Sequence, residues 1–285
     1  MFWILGVVVT FGCVAGGYAP HGSFAILWQP LEFVIILGAG AGAFLQGNQK
    51  WVIFGTLGSM GKLMKGMPYN KQTYEDLLTL MYAIFKLAKT KGMIALEPHI
   101  ENPHDSALFQ NFTSFTSNHH AMDFMCDYLR LMTMGTENPH EMENLMDVDL
   151  ETHHNEHHAM SAAVTQLGEG LPAFGIVAAV LGVITTMGSI AEPPEVLGGL
   201  IGAALVGTFS GILAAYGLVS PMATNLQQHF DADAKYYDCM KTGLLAHLQG
   251  YAPAVSVEFA RKTLYSHERP SFAEIEEACN NAPTV

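Results

Sequence analysis

Four apolar stretches free of lysine and arginine dominate this chain: residues 2–19, 27–46, 171–190 and 197–220. Each is about 20 residues long, the length of helix that crosses a hydrocarbon core of about 30 Å. A bilayer core offers no water to peptide groups, so such a segment must satisfy its own backbone, which a helix does. The stretches form two hairpins, the first turning over Pro20, Gly22 and Ser23 and the second over the AEPPEV run at 191–196. The first stretch lacks the basic leader and small-residue cleavage site of a secretory signal and reads as a span. Buried helices of a soluble domain are the competing reading, but four of them in two hairpins are hard to hide from water.

Composition supports the membrane reading. Only 14% of the residues are charged, against about a quarter in soluble domains. The formal charge of -13 also excludes a nucleic-acid partner, because phosphate contacts need a basic surface. The cations then orient the chain. Lys50, Lys62, Lys65, Lys71, Lys86, Lys89, Lys91 and Arg130 lie between the second and third spans, and Lys235, Lys241, Arg261, Lys262 and Arg269 follow the fourth. Both regions fall on one side of a four-span chain, which the positive-inside rule places in the cytoplasm.

The expected fold class is therefore all-α: a polytopic membrane protein with four transmembrane helices and a helical cytoplasmic domain. The expected division is 1–46 for spans one and two, 47–170 for the cytoplasmic domain, 171–220 for spans three and four, and 221–285 for a cytoplasmic helical tail. Both termini are expected to lie in the cytoplasm.

Outside the spans the signal is helical. Leu77, Leu78, Met81, Ile84, Phe85 and Ala88 repeat on one face of a 3.6-residue helix, and Gly92 suits its end. The segment 120–133 is similar, and no period-two pattern persists. None of Cys13, Cys126, Cys239 and Cys279 forms a CxxC pair, so no disulfide framework is read. His153, His154, His157 and His158 provide i,i+4 pairs, and Glu151 an ExxH spacing with His154. A di-iron bundle needs a second ExxH, and none is present. No metal site or other cofactor is expected.

The spans lack what an ion carrier normally contributes. They hold one carboxylate, Glu32, near the outer end of span two, where an interfacial position is the simplest reading. Spans three and four offer only small residues and hydroxyls: Thr185, Thr186, Thr208 and Ser210. Either the chain conducts nothing, or a partner helix supplies the titrating carboxylate. Gly12/Gly16, Gly38/Gly42, Gly198/Gly202 and Gly207/Gly211 are small residues four apart, a spacing that favours close helix packing in a multi-subunit assembly. Pro172 and Pro221 each remove a backbone donor near a membrane boundary and serve either as helix ends or as hinges.

Several long blocks carry a resemblance. LPAFGIVAAVLGV (171–183), LVGTFSGILAAYGLVSPMA (205–223) and GYAPAVSVEFARKTLYSHERPSF (250–272) resemble the MotA family, the A subunit of the flagellar motor stator. So do GGYAPHG, PLEFVIILGAGAGAF and GMIALEPHIENP, and the resemblance runs from residue 1 to about residue 278 in order. It implies a homo-oligomeric ring of five copies, embedded in lipid, around the single spans of a MotB-like dimer that supplies the ion-binding aspartate. It implies that Pro172 and Pro221 are the coupling hinges. Thr208 and the neighbouring Ala179 match the ion-site positions, with Thr185 also on the pathway. Lys89 and Glu97 match the charges that engage the rotor's cytoplasmic switch ring. The family often has arginine at the first of these; lysine keeps the charge but loses the planar fork.

Sodium-driven relatives tend to carry threonine where this chain has Ala179, and alanine brings no oxygen ligand for a hard cation. Proton coupling is the expectation, with torque generated electrostatically and no enzymatic chemistry on this chain. The nearer rival is an ExbB/TolQ-like energiser of outer-membrane transport. Those relatives have one span before the large cytoplasmic region, where this chain has two.

Overall fold

In the computed structural model, residues 2–20, 22–64, 66–136 and 138–283 are described. Lys65, one of the cations that orient the sequence, lies outside them. Among the described residues there is no strand; the protein is all-helical. In chain order the principal helices are α1 (Phe2–Tyr18), α2 (Phe24–Gly47), α3 (Lys50–Ser59), α4 (Lys71–Lys91), α5 (His119–Thr133), α6 (Pro139–Gly188), α7 (Pro194–Leu248), α8 (Pro253–Lys262) and α9 (Phe272–Asn280). Three of them, α2, α6 and α7, are long and apolar enough to cross a membrane, while α1 is a shorter apolar helix of 17 residues.

The chain divides into two compact units. One comprises residues 1–66 and 155–230, the other residues 67–154 and 231–285. Helices α6 and α7 each run from one unit into the other, so both units are assembled from segments distant in sequence.

The first unit holds the apolar helices. Its core is thin: Ile36, Leu171, Ala178, Ala215, Val219 and Leu226 are buried, whereas Val177, Leu181, Ile184, Leu205 and Ile212 are exposed on the outside of the helices. Apolar side chains turned outward in this way suit lipid or neighbouring helices. Two helices are irregular. Helix α2 is interrupted at residues 28–29 and carries a π-helical turn at Val34–Gly38, and α7 carries another at Ala215–Val219. Such turns insert one residue into the hydrogen-bond ladder and are frequent at functional sites.

The second unit has an ordinary protein core. Leu77, Leu78, Met81, Ile84 and Phe85 of α4 are fully buried, as the 3.6-residue periodicity predicts. They share the core with Met125 and Leu129 of α5, Tyr236 and Leu244 of α7, and Val257 of α8. Asn70 caps the start of α4 by accepting from the Thr73 amide at 3.0 Å. Gly92 ends it at φ +88°, donating its amide to Ala88, a conformation that favours glycine. Arg261 is buried and grips Glu258 with two bonds of 2.6 and 2.7 Å while donating to the Pro270 carbonyl at 2.8 Å. Helix α9 begins with a capping box formed by Ser271 and Glu274. Lys71 adds an ion pair to Glu274 at 2.7 Å.

Candidate functional site: the helix crossing and the cytoplasmic charges

The first unit brings α6 and the first half of α7 together through glycine. A β-carbon built on Gly175 would stand 2.9 Å from the Gly207 carbonyl and 3.2 Å from the Gly211 α-carbon. One built on Gly211 would stand 2.7 Å from the Leu171 carbonyl. Farther along, Gly182 meets Ala204, its β-carbon position only 2.7 Å from the Ala204 methyl. Side chains larger than hydrogen would force these backbones apart. Of the four expected pairs, Gly207/Gly211 is the one in which both members make such contacts. Gly12, Gly16, Gly38, Gly42 and Gly198 face open space within the chain. Gly175 and Gly182 went unnoticed in the sequence because they are seven apart, two helical turns, rather than four.

Ala179 and Thr208 flank this crossing. The Ala179 amide nitrogen lies 3.2 Å from the β-carbon position of Gly207, and the Thr208 α-carbon 3.4 Å from that of Gly175. Both side chains are half-buried. Thr185 stands apart from that contact, exposed, with its hydroxyl donated to the Leu181 carbonyl at 3.0 Å. The buried hydroxyl is the next one, Thr186, donated to the Gly182 carbonyl at 2.8 Å. Pro172 lies inside α6, next to the Leu171 carbonyl that approaches Gly211. Pro221 is exposed and lies one residue beyond the π-turn at Ala215–Val219, after Ser220.

Glu32 comes to the same crossing. Its Oε2 is buried, has no hydrogen-bond partner, and lies 3.0 Å from the β-carbon position of Gly207. Its distance along the sequence from residues 171–220 concealed this.

Lys89 and Glu97 belong to the second unit, both exposed, Lys89 in the last turn of α4 and Glu97 at the start of the short helix Glu97–Glu101. Lys89 borders a cavity of about 310 Å³ lined also by Met93, Met132, His247 and Tyr251. The histidine cluster packs against aromatic rings: His157 stacks on Phe230 at 4.1 Å, and His153 lies 5.4 Å from Tyr237. Among the described residues, no three His, Cys, Asp or Glu side chains gather as a metal site. The four thiols are free.

Apolar helices that cross through glycine and carry no lysine or arginine in their long stretches define a tightly packed membrane-protein subunit. Residues 116–238 match the MotA/TolQ/ExbB proton channel family, and residues 4–92 match the Motility protein A N-terminal family. Motility protein A of Escherichia coli (strain K12) is 47% identical over 278 residues, covering 97% of this chain and 94% of that one. The flagellar MotAB stator complex from Bacillus subtilis contains a chain that superposes with a TM-score of 0.74 at 25% identity, over 96% of this chain and 98% of that one. The fold is also that of Campylobacter jejuni MotAB (TM-score 0.79, 19% identity, 94% of this chain and 97% of that one). The chain belongs to the motility protein A family, the A subunits of the flagellar motor stator.

Proposed function

We propose that this chain assembles as a pentamer around a dimer of a MotB-like single-span partner in the bacterial inner membrane, converting proton flow into torque on the rotor. Four spans are proposed, α1 being the first; its 17 residues sit at the lower end of the spanning range of about 17–25. Both termini and the regions 47–170 and 221–285 are assigned to the cytoplasm, where the cations lie. Residues 1–46 and 171–220 are assigned to the lipid.

One observation carries the mechanism. Ala179 and Thr208 flank a crossing whose two spans, 171–190 and 197–220, contain no titratable side chain except Tyr216. These two spans supply no carboxylate to bind a travelling proton, and that binding role is assigned to the partner's aspartate. Protonation neutralises that aspartate and lowers the cost of placing it against the apolar wall, and release to the cytoplasm restores the charge. A membrane potential of 100 mV contributes about 2.3 kcal/mol per proton, so several must pass for sustained work. Pro172 and Pro221 act as the hinges that turn each event into movement, Thr208, Ala179 and Thr185 line the pathway, and Lys89 and Glu97 meet the switch ring.

Swimming speed tests the reading in a flagellated, stator-deleted host expressing this chain with its partner. Motion that ignores external sodium and collapses with a protonophore is expected. Sodium-dependent motion overturns the proton assignment. No motion with both subunits inserted and associated overturns the motor reading and favours the transport-energiser class.

A further inference from the structure

Glu32 occupies a place that a membrane protein does not leave to an idle carboxylate. One point beside Gly207, where a β-carbon would stand, lies 3.0 Å from Glu32 Oε2, 3.0 Å from the Ala178 methyl and 3.2 Å from the Ala179 amide nitrogen. The carboxylate oxygen thus stands in tight contact distance of the position that a side chain on Gly207 would take. That oxygen is buried without a hydrogen-bond partner.

Among the described residues, the helical stretches around Glu32 carry no lysine or arginine. The facing stretch of α7, Pro194–Ala214, has Glu195 as its only ionisable side chain, and that is in its first turn. Residues 171–188 of α6 carry none, and Glu32 is the only ionisable side chain in 30–47. In α1 the titratable groups are Cys13 and Tyr18, and the Tyr18 hydroxyl donates to the Ser23 carbonyl at 3.3 Å. An ionised carboxylate in apolar surroundings needs a cation, hydrogen-bond donors or a proton. Among the described residues Oε2 has no hydrogen-bond donor, and the remaining means, a proton, is the travelling ion.

We propose that Glu32 is a proton-transfer residue of the stator, carrying the proton between the outer aqueous phase and the ion site at Ala179 and Thr208. This rests on the stator reading above. A proton taken up from outside forms an O–H bond on the Glu32 carboxylate, and the neutral acid sits in the apolar seam. That bond breaks as the proton passes to the partner's aspartate, and Glu32 returns to the carboxylate form. One proton enters and one leaves, with no net change on this chain.

Two measurements test it on the intact complex of this chain with its partner. The first is the infrared absorbance of non-ionised carboxyl groups in lipid-reconstituted complex at neutral pH. A band present in the wild type, lost in Glu32→Gln and displaced in Glu32→Asp is expected. The second is motor speed against external pH. Glu32→Gln is expected to turn severalfold more slowly, with a flattened pH profile, whereas Glu32→Asp keeps the dependence at reduced speed. A Glu32→Gln motor with the wild-type speed and profile, or identical carboxyl spectra in all three proteins, overturns the proposal. Should Glu32→Gln fail to reach the membrane, Glu32→Asp decides: a wild-type band and profile count against the role, a displaced band with a shifted profile supports it. A wild-type complex that shows the Glu32 band but turns no motor refutes the stator reading, and with it the transfer step, separately from protonation at Glu32.

Discussion

Gly175 and Gly211 meet backbone to backbone where the two long apolar helices cross: a methyl on Gly211 would stand 2.9 Å from the Gly175 α-carbon. Neither backbone can give way without opening the helix pair. The substitution Gly175→Ala or Gly211→Ala is expected to destabilise the first unit by about 1–3 kcal/mol, the range for forcing extra atoms into a packed site. Thermal unfolding in detergent reads this directly. Gly198→Ala is the control, because nothing within the chain lies within 4 Å of its β-carbon position. Equal loss in all three variants would sink the packing argument.

Pro172→Ala restores a backbone donor inside α6 and removes the ring that strains the preceding turn. If the proline is a hinge, the variant inserts and binds its partner normally but turns the motor weakly. Tethered-cell torque, measured beside membrane abundance, decides. Unchanged torque removes Pro172 from the coupling mechanism. The same comparison applies to Pro221, which follows a π-turn already relaxed by one residue.

Lys89 and Glu97 are exposed, so exchanging their charges costs little stability, within about 0.5 kcal/mol. Their expected role is contact with the rotor. Lys89→Glu and Glu97→Lys should each impair swimming severely while the stator remains assembled, and Lys89→Arg should swim. Full motility of the two charge reversals would show that these side chains are merely a solvated face.

Arg261 is the clearest stability determinant of the second unit. The Arg261 hydrogen bonds hold the Glu258 carboxyl below its ordinary range. Arg261→Lys keeps the charge but loses the two-pronged grip, at an expected cost of about 2 kcal/mol, the scale of hydrogen bonds to charged groups. Because the folded-state pKa is depressed, this contribution is present above the unfolded value of about 4.3 and disappears as pH falls through the folded value. Glu274, held down to about 2 by Lys71 and the Ser271 cap, follows the same sign over the window from about 4.3 to about 2. Hydrogen exchange across 253–280 in the full-length protein should show Arg261→Lys less protected at pH 7. A difference that persists undiminished at low pH would contradict the assigned cause.

Much of this protein is set by local pattern. The length of the apolar stretches, the confinement of cations to two regions, the buried face of α4 and its ending at Gly92 all follow from residue order, because periodicity and chain conformation are local properties. Pattern reports which face of a helix is apolar, not which helix it meets. Tertiary structure alone decided that Gly175 and Gly182 join Gly207 and Gly211 at the crossing, that Gly12 and Gly38 do not, and that Thr186 rather than Thr185 turns inward. It also brought Glu32 within 3.0 Å of the β-carbon position of Gly207, some 175 residues along the chain. The physical reason is the same each time. Close approach of two helices depends on the registry between them, and registry is a property of the pair that neither sequence segment contains by itself.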